Sequence, residues 1–137
     1  MVWEEEEEQG GVELIKHYLK VEIADTPSKQ AQGLMYRNKL GEDDGMLFKF
    51  PKSQNLKFWG LNTYLPLAIA FVSPEKEIKK ISYISPHSTK CVASDDDCDV
   101  AIEANYDFFR NNNISIGSKI EVIHEDMNTL VKFLNKE

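Results

Sequence analysis

Phe58-Trp59-Gly60-Leu61-Asn62-Thr63-Tyr64-Leu65-Pro66-Leu67-Ala68-Ile69-Ala70-Phe71-Val72 is the most apolar stretch of the chain, and its reading decides the fold. It is shorter than the roughly 18 residues a membrane span needs, and Pro66 interrupts it. No membrane span is therefore expected. The stretch predicts two buried strands instead, over 56–60 and 67–72. A tight polar connection through Asn62, Thr63 and Pro66 joins them.

Upstream, Met46-Leu47-Phe48-Lys49-Phe50 reads as a strand that Pro51 ends, entered from a turn at Glu42-Asp43-Asp44-Gly45. Earlier still, Leu19, Val21 and Ile23 alternate with Lys20 and Glu22, the pattern of a half-buried strand. Asp25-Thr26-Pro27 stops it and starts a short helix reaching Leu34, with Thr26 as cap and Pro27 in the first turn. Downstream, Ser73-Pro74-Glu75-Lys76 is a hairpin turn. Its return strand, 77–84, points Ile78, Ile81 and Tyr83 inward. Residues 85–98 form the longest irregular segment, and a strand follows at 99–103. Asn105 then caps a short helix that packs Phe108 or Phe109, and 119–124 is a further strand. Asp126 caps a closing helix with Leu130, Val131 and Leu134 on one face. The fold class expected is mainly β with short helices (α+β), an antiparallel β-sandwich or partly open barrel.

A chain of 137 residues with 42% hydrophobic and 28% charged residues suits one globular domain, here 14–137, behind an acidic disordered tail at 1–13. The glutamates at 4–8 supply five negative charges of the net −7, which leaves −2 on the rest. Like charges in a run repel one another and stay solvated. No basic cluster occurs, so a nucleic-acid partner is not expected. Residues 1–20 lack the basic region and apolar core of a signal peptide. That suits a cytoplasmic protein, and equally a trimmed chain whose acidic linker once followed an anchor.

Three blocks carry a resemblance: Ala31-Gln32-Gly33-Leu34-Met35-Tyr36-Arg37, Gly45-Met46-Leu47-Phe48-Lys49-Phe50, and Phe58-Trp59 with Asn62-Thr63 and Pro66-Leu67. In order and spacing they resemble domain-of-unknown-function family 192, over about residues 19–123. The resemblance implies a compact, mostly β domain, frequent in bacterial and archaeal proteins with a signal peptide or single anchor, and no assigned reaction. The chain departs from the family pattern at Gly60 and Leu61, where Met and a basic residue are usual, and at Ala68, where Asp is usual.

No catalytic constellation is legible. His17, His87 and His124 sit in no triad context, and no nucleophile elbow, phosphate loop or dinucleotide fingerprint is present. No cofactor is expected and no metal site, because Asp95, Asp96, Asp97 and Asp99 lack the spacing of a calcium loop. Cys91 and Cys98, close together in one long loop, are expected to form a disulfide contributing roughly 2–3 kcal/mol. A disulfide would place the protein outside the cytoplasm or in the cell envelope, with the cytoplasm as the alternative. The candidate site is a shallow pocket where Arg37, Trp59, Asn62, Thr63 and Tyr64 present stacking and hydrogen-bonding groups. The function expected is non-catalytic binding of a small polar ligand or a protein partner. A hydrolase of envelope polymers, with Arg37 stabilising an anion, and a purely structural assembly module are the alternatives.

Overall fold

The computed structural model describes residues 8–9, 12–13 and 16–134. Two short strands, β1 (Glu8–Gln9) and β2 (Val12–Glu13), pair antiparallel. The rest of the acidic tail expected over 1–13 lies outside the described residues.

The main body opens with β3 (Lys16–Ala24), which buries Leu19 and Val21 and exposes Lys20 and Glu22 in alternation with them. Thr26 then caps α1 (Pro27–Gln32) by accepting the Lys29 N–H at 3.3 Å, and Pro27 stands where a backbone N–H is not needed. Replacing Thr26 by alanine is expected to cost about 1 kcal/mol of unfolding free energy. Urea denaturation checks this as a lowered midpoint at unchanged slope; an unmoved midpoint would show the cap to be idle.

From α1 the chain returns to β4 (Asp44–Gln54), parallel to β3 with Phe48 beside Ala24. β4 runs through Pro51, which was expected to end it. The pairing register shifts between Lys49 and Gln54, so Pro51 falls in an irregular part of the ladder, where its missing N–H breaks no regular bond. In the 58–72 stretch, the second strand is as expected: β6 (Leu67–Val72) is buried at every residue. The first is not, because β5 (Lys57–Phe58) is two residues long and pairs with β8 (Val92–Ala93) away from the main sheet.

β7 (Ile78–Ile84) returns antiparallel to β6, burying Ile78 but leaving Tyr83 exposed. β9 (Cys98–Asn105) lies between β4 and β6. α2 (Phe108–Asn111) buries both Phe108 and Phe109. Its cap position is Asp107 rather than Asn105, whose amide donates to the Leu40 and Gly41 carbonyls at 3.2 and 2.8 Å. The last two elements, β10 (Lys119–Glu125) and β11 (Asn128–Leu134), form a hairpin. β11 replaces the expected closing helix. Asp126 takes φ 52 in the turn instead of capping, and Val131 and Phe133 alternate inward. Pairing with β10 on one side and β3 on the other decides it, overriding a local pattern that also fits a helix.

Seven strands form one mixed sheet in the order β10-β11-β3-β4-β9-β6-β7, antiparallel except at β3–β4. The sheet is not closed. Its edge strands meet at one end only, where Ile120 N–H reaches the Lys76 carbonyl and Ile78 N–H the Ser118 carbonyl, both at 2.9 Å. The result is a partly open barrel in a single domain. One core layer fills its inside, drawing Leu19, Leu47, Ile102, Phe109, Ile120 and Phe133 from along the sheet. A second layer lies on the other face of β4, β9 and β6, where Phe48, Ala101, Ile69 and Phe71 are covered by Leu34, Leu56 and Phe58. Because strand side chains alternate, Glu103 follows Ala101 into this second layer.

Candidate functional site

The second layer is incompletely filled. A cavity of about 280 Å³ lies between the sheet and the segments that cover it, lined by Gly33, Leu34, Met35, Phe48, Phe58, Trp59, Thr63 and Glu103 among others. Its wall on the α1 side depends on Gly33, which ends the helix at φ 49 with its N–H on the Lys29 carbonyl. A Cβ there would meet the Phe48 ring at an ordinary contact distance of 3.4 Å, so it is the positive φ rather than lack of room that favours glycine. The opposite wall is the turn at 60–63. Thr63 N–H donates to the Gly60 carbonyl at 3.0 Å and its hydroxyl to the Leu61 carbonyl at 3.2 Å. Gly60 is buried against the 85–88 segment, donating to the Ser88 carbonyl at 2.8 Å, and a Cβ would lie 2.4 Å from the Ser85 oxygen. That close approach accounts for glycine where the resembled family has Met. Ala68, where the family has Asp, is fully buried in the inner core layer.

The floor of the cavity carries the unusual chemistry. Glu103 sits on a central strand with 5% of its surface exposed, between Met46 of β4 and Ile69 of β6. Its carboxyl has no hydrogen bond or ion pair to any other described residue. Burial pushes its carboxyl up to about 8, so at neutral pH it is mostly an uncharged acid able to donate. Sequence reasoning missed it. The available signal was one carboxylate inside the apolar run Val100-Ala101-Ile102-Glu103-Ala104, a pattern that belongs to a strand buried on both faces.

Of the expected site residues, the structure brings Trp59 and Thr63 to this cavity, Trp59 at 45% exposure and Thr63 buried. Asn62 and Tyr64 turn outward into an aromatic cluster beside it. Asn62 Nδ2 donates to the Tyr36 hydroxyl, and Tyr36 N–H to the Asn62 carbonyl, each at 2.9 Å. The Tyr64 ring lies 6.3 Å from that of Tyr36 and 5.3 Å from that of His87, whose N–H holds the Thr63 carbonyl. Tyr36, Asn62 and His87 all adopt positive φ, a cost these mutual bonds offset.

Arg37 does not line the cavity. Its Nη1 and Nη2 donate to Glu22 Oε2 and Oε1 at 2.5 and 2.9 Å. That hydrogen bonding holds the Glu22 carboxyl below its usual range and the Arg37 guanidinium above. The expected disulfide is also absent: Cys91 and Cys98 are both free thiols. Cys98 begins β9 with its side chain in the second core layer, whereas Cys91 faces solvent ahead of β8. Burial, with Asp96 and Asp99 nearby, pushes the Cys98 thiol up and keeps it protonated. In the acidic loop, Asp95 pairs with Lys80 Nζ at 2.7 Å and its N–H donates to Asn55. Among the described residues no group of three His, Cys, Asp or Glu is placed to hold a metal.

The family model DUF192, described as an uncharacterised ACR, matches residues 8–122. A solved structure from Sinorhizobium meliloti 1021, of a protein proposed to be a transcription regulator, is similar at 29% identity and TM-score 0.70. The match covers 88% of this chain and 96% of that one. A protein of unknown function from Novosphingobium aromaticivorans is similar at 24% identity and TM-score 0.72, over 86% and 93% of the two chains. At that identity the likeness shows the fold alone. No functionally curated protein matches the chain.

Proposed function

The chain belongs to the DUF192 family, and on that footing we propose that it is a binding domain without a reaction of its own, whose cavity takes a small polar ligand or a side chain of a protein partner. The observation that carries this is Glu103, a buried acid without a partner on the floor of a cavity that Thr63 and Trp59 also line. Leaving such a group unsatisfied costs about 1–3 kcal/mol, and a ligand that bonds to it recovers that cost. A few convergent polar groups in an otherwise apolar concavity are what fix a ligand's orientation.

The hydrolase reading has no comparable support, because both terminal nitrogens of Arg37 are committed to Glu22. An envelope location now rests on the family resemblance alone, since the thiols that motivated it are unbridged. A regulatory role like that proposed for the Sinorhizobium relative fits a ligand-sensing domain. With net charge −7 and no basic cluster, contacts to a phosphate backbone are disfavoured.

A fragment screen read by amide chemical shifts tests the proposal. Hits are expected to converge on Gly33, Leu34 and Thr63, and Trp59→Ala to weaken them about tenfold. The variant's melting temperature should hardly change, because Trp59 is nearly half exposed. Hits that map elsewhere, or that bind the variant as tightly as the native chain, would end this reading.

A further inference from the structure

We infer that the cavity is a site for an organic cation, a primary or N-methylated alkylammonium group, with the Glu103 carboxylate on its floor as counter-ion. This rests on the reading of the cavity as a ligand site and specifies the ligand's chemistry. Glu103 is more than nine-tenths buried, lines the cavity, and has apolar Met46 and Ile69 as its neighbours across the sheet. Aromatic side chains line it: Phe48 and Phe58 meet edge to face at 4.9 Å, and Trp59 is partly exposed. Aromatic rings carry negative charge on their faces, which attracts cations and repels anions. Among the described residues the one other charged side chain lining the cavity is Lys57, which is exposed to water. An anion would therefore meet only a solvated lysine outside, whereas a cation meets a dedicated partner inside.

The proton balance is explicit. The alkylammonium enters with its charge intact, the Glu103 carboxyl releases one proton to water, and the buried pair is neutral as a whole. Since the empty site titrates at about 8, affinity should rise about tenfold per pH unit on approaching that value from the acid side.

The test uses the full chain and three straight-chain probes of matched size: n-butylammonium, 1-butanol and butanoate. Binding is followed by the side-chain carboxyl carbon of Glu103, identified by its absence in Glu103→Gln. At neutral pH, butylammonium is expected to bind at least about tenfold more tightly than either other probe. It should also pull the Glu103 midpoint down from about 8 toward the ordinary carboxylate range. Glu103→Gln, followed instead by the amides of Gly33 and Thr63 on the cavity wall, should lose the preference for the cation. The ranking of probes on the native chain does not depend on how that variant folds. Tighter binding of butanol or butanoate in the cavity would overturn the cation assignment and leave the cavity standing as a ligand site. If none of the three moves a cavity resonance, both readings fall.

Discussion

Replacing Glu103 by glutamine is expected to make the chain more stable than the native protein at pH 8 and nearly equal to it at pH 4. The native carboxyl is held as a neutral acid, with its folded value raised from 4.5 to about 8 by burial. A carboxyl so raised binds its proton in the folded state while the unfolded chain has already lost it. Stability is then fully present below about 4.5 and falls as pH rises toward 8, by about 1.4 kcal/mol per unit at the steepest. Glutamine has the same shape, stays neutral throughout, and removes that slope. The gap between the two proteins should open with pH and reach several kcal/mol at the alkaline end. Urea denaturation of both chains at five or six pH values measures it. Parallel curves would mean that Glu103 is hydrated or paired in solution, and the cavity floor described above would be wrong.

How much of this was legible in the sequence depends on how local the determinants are. The 67–72 strand, the Thr26–Pro27 helix start and the 73–76 hairpin turn all rest on neighbouring residues, and all were readable. The closing hairpin was not. Leu130, Val131 and Leu134 have helical spacing, and only pairing with β10 and with β3, more than a hundred residues away in sequence, turns them into a strand. Cys91 and Cys98 failed for a related reason. Their short separation suggested a bridge, yet Cys98, the first residue of β9, is committed to the core.

The site divides along the same line. Trp59 and Thr63 belong to one block and could be proposed together, whereas Arg37 was drawn in by its closeness to α1 and instead pairs with Glu22 on β3. Glu103 was the hardest to see. It is the last residue of the expected 99–103 strand, but β9 continues to Asn105 between two partners. A charge at a strand's end is ordinary, and the same charge in its buried middle is a chemical feature. A two-residue error in a boundary hid the difference.

The second large effect is expected from Phe48→Ala. Phe48 is 1% exposed in β4, its ring meets Phe58 from β5, and it lies opposite Gly33 at the end of α1, where an added Cβ would touch it. It therefore ties both covering segments to the sheet. Truncating a buried phenylalanine costs about 3–5 kcal/mol through lost transfer energy and the space left behind. Here that space is continuous with the cavity, which should let water reach Glu103 and bring its carboxyl back toward the ordinary range. Two effects then act in opposite directions along the pH axis. The variant loses packing at every pH, but it also loses the alkaline penalty that the native chain carries, so its deficit should be largest near pH 4 and shrink toward pH 8. Denaturation curves for the two chains should converge as pH rises. A deficit that stays constant across that range would show the covering segments collapsing into the vacated space and keeping Glu103 dry, which would separate the packing role of Phe48 from the chemistry of the cavity.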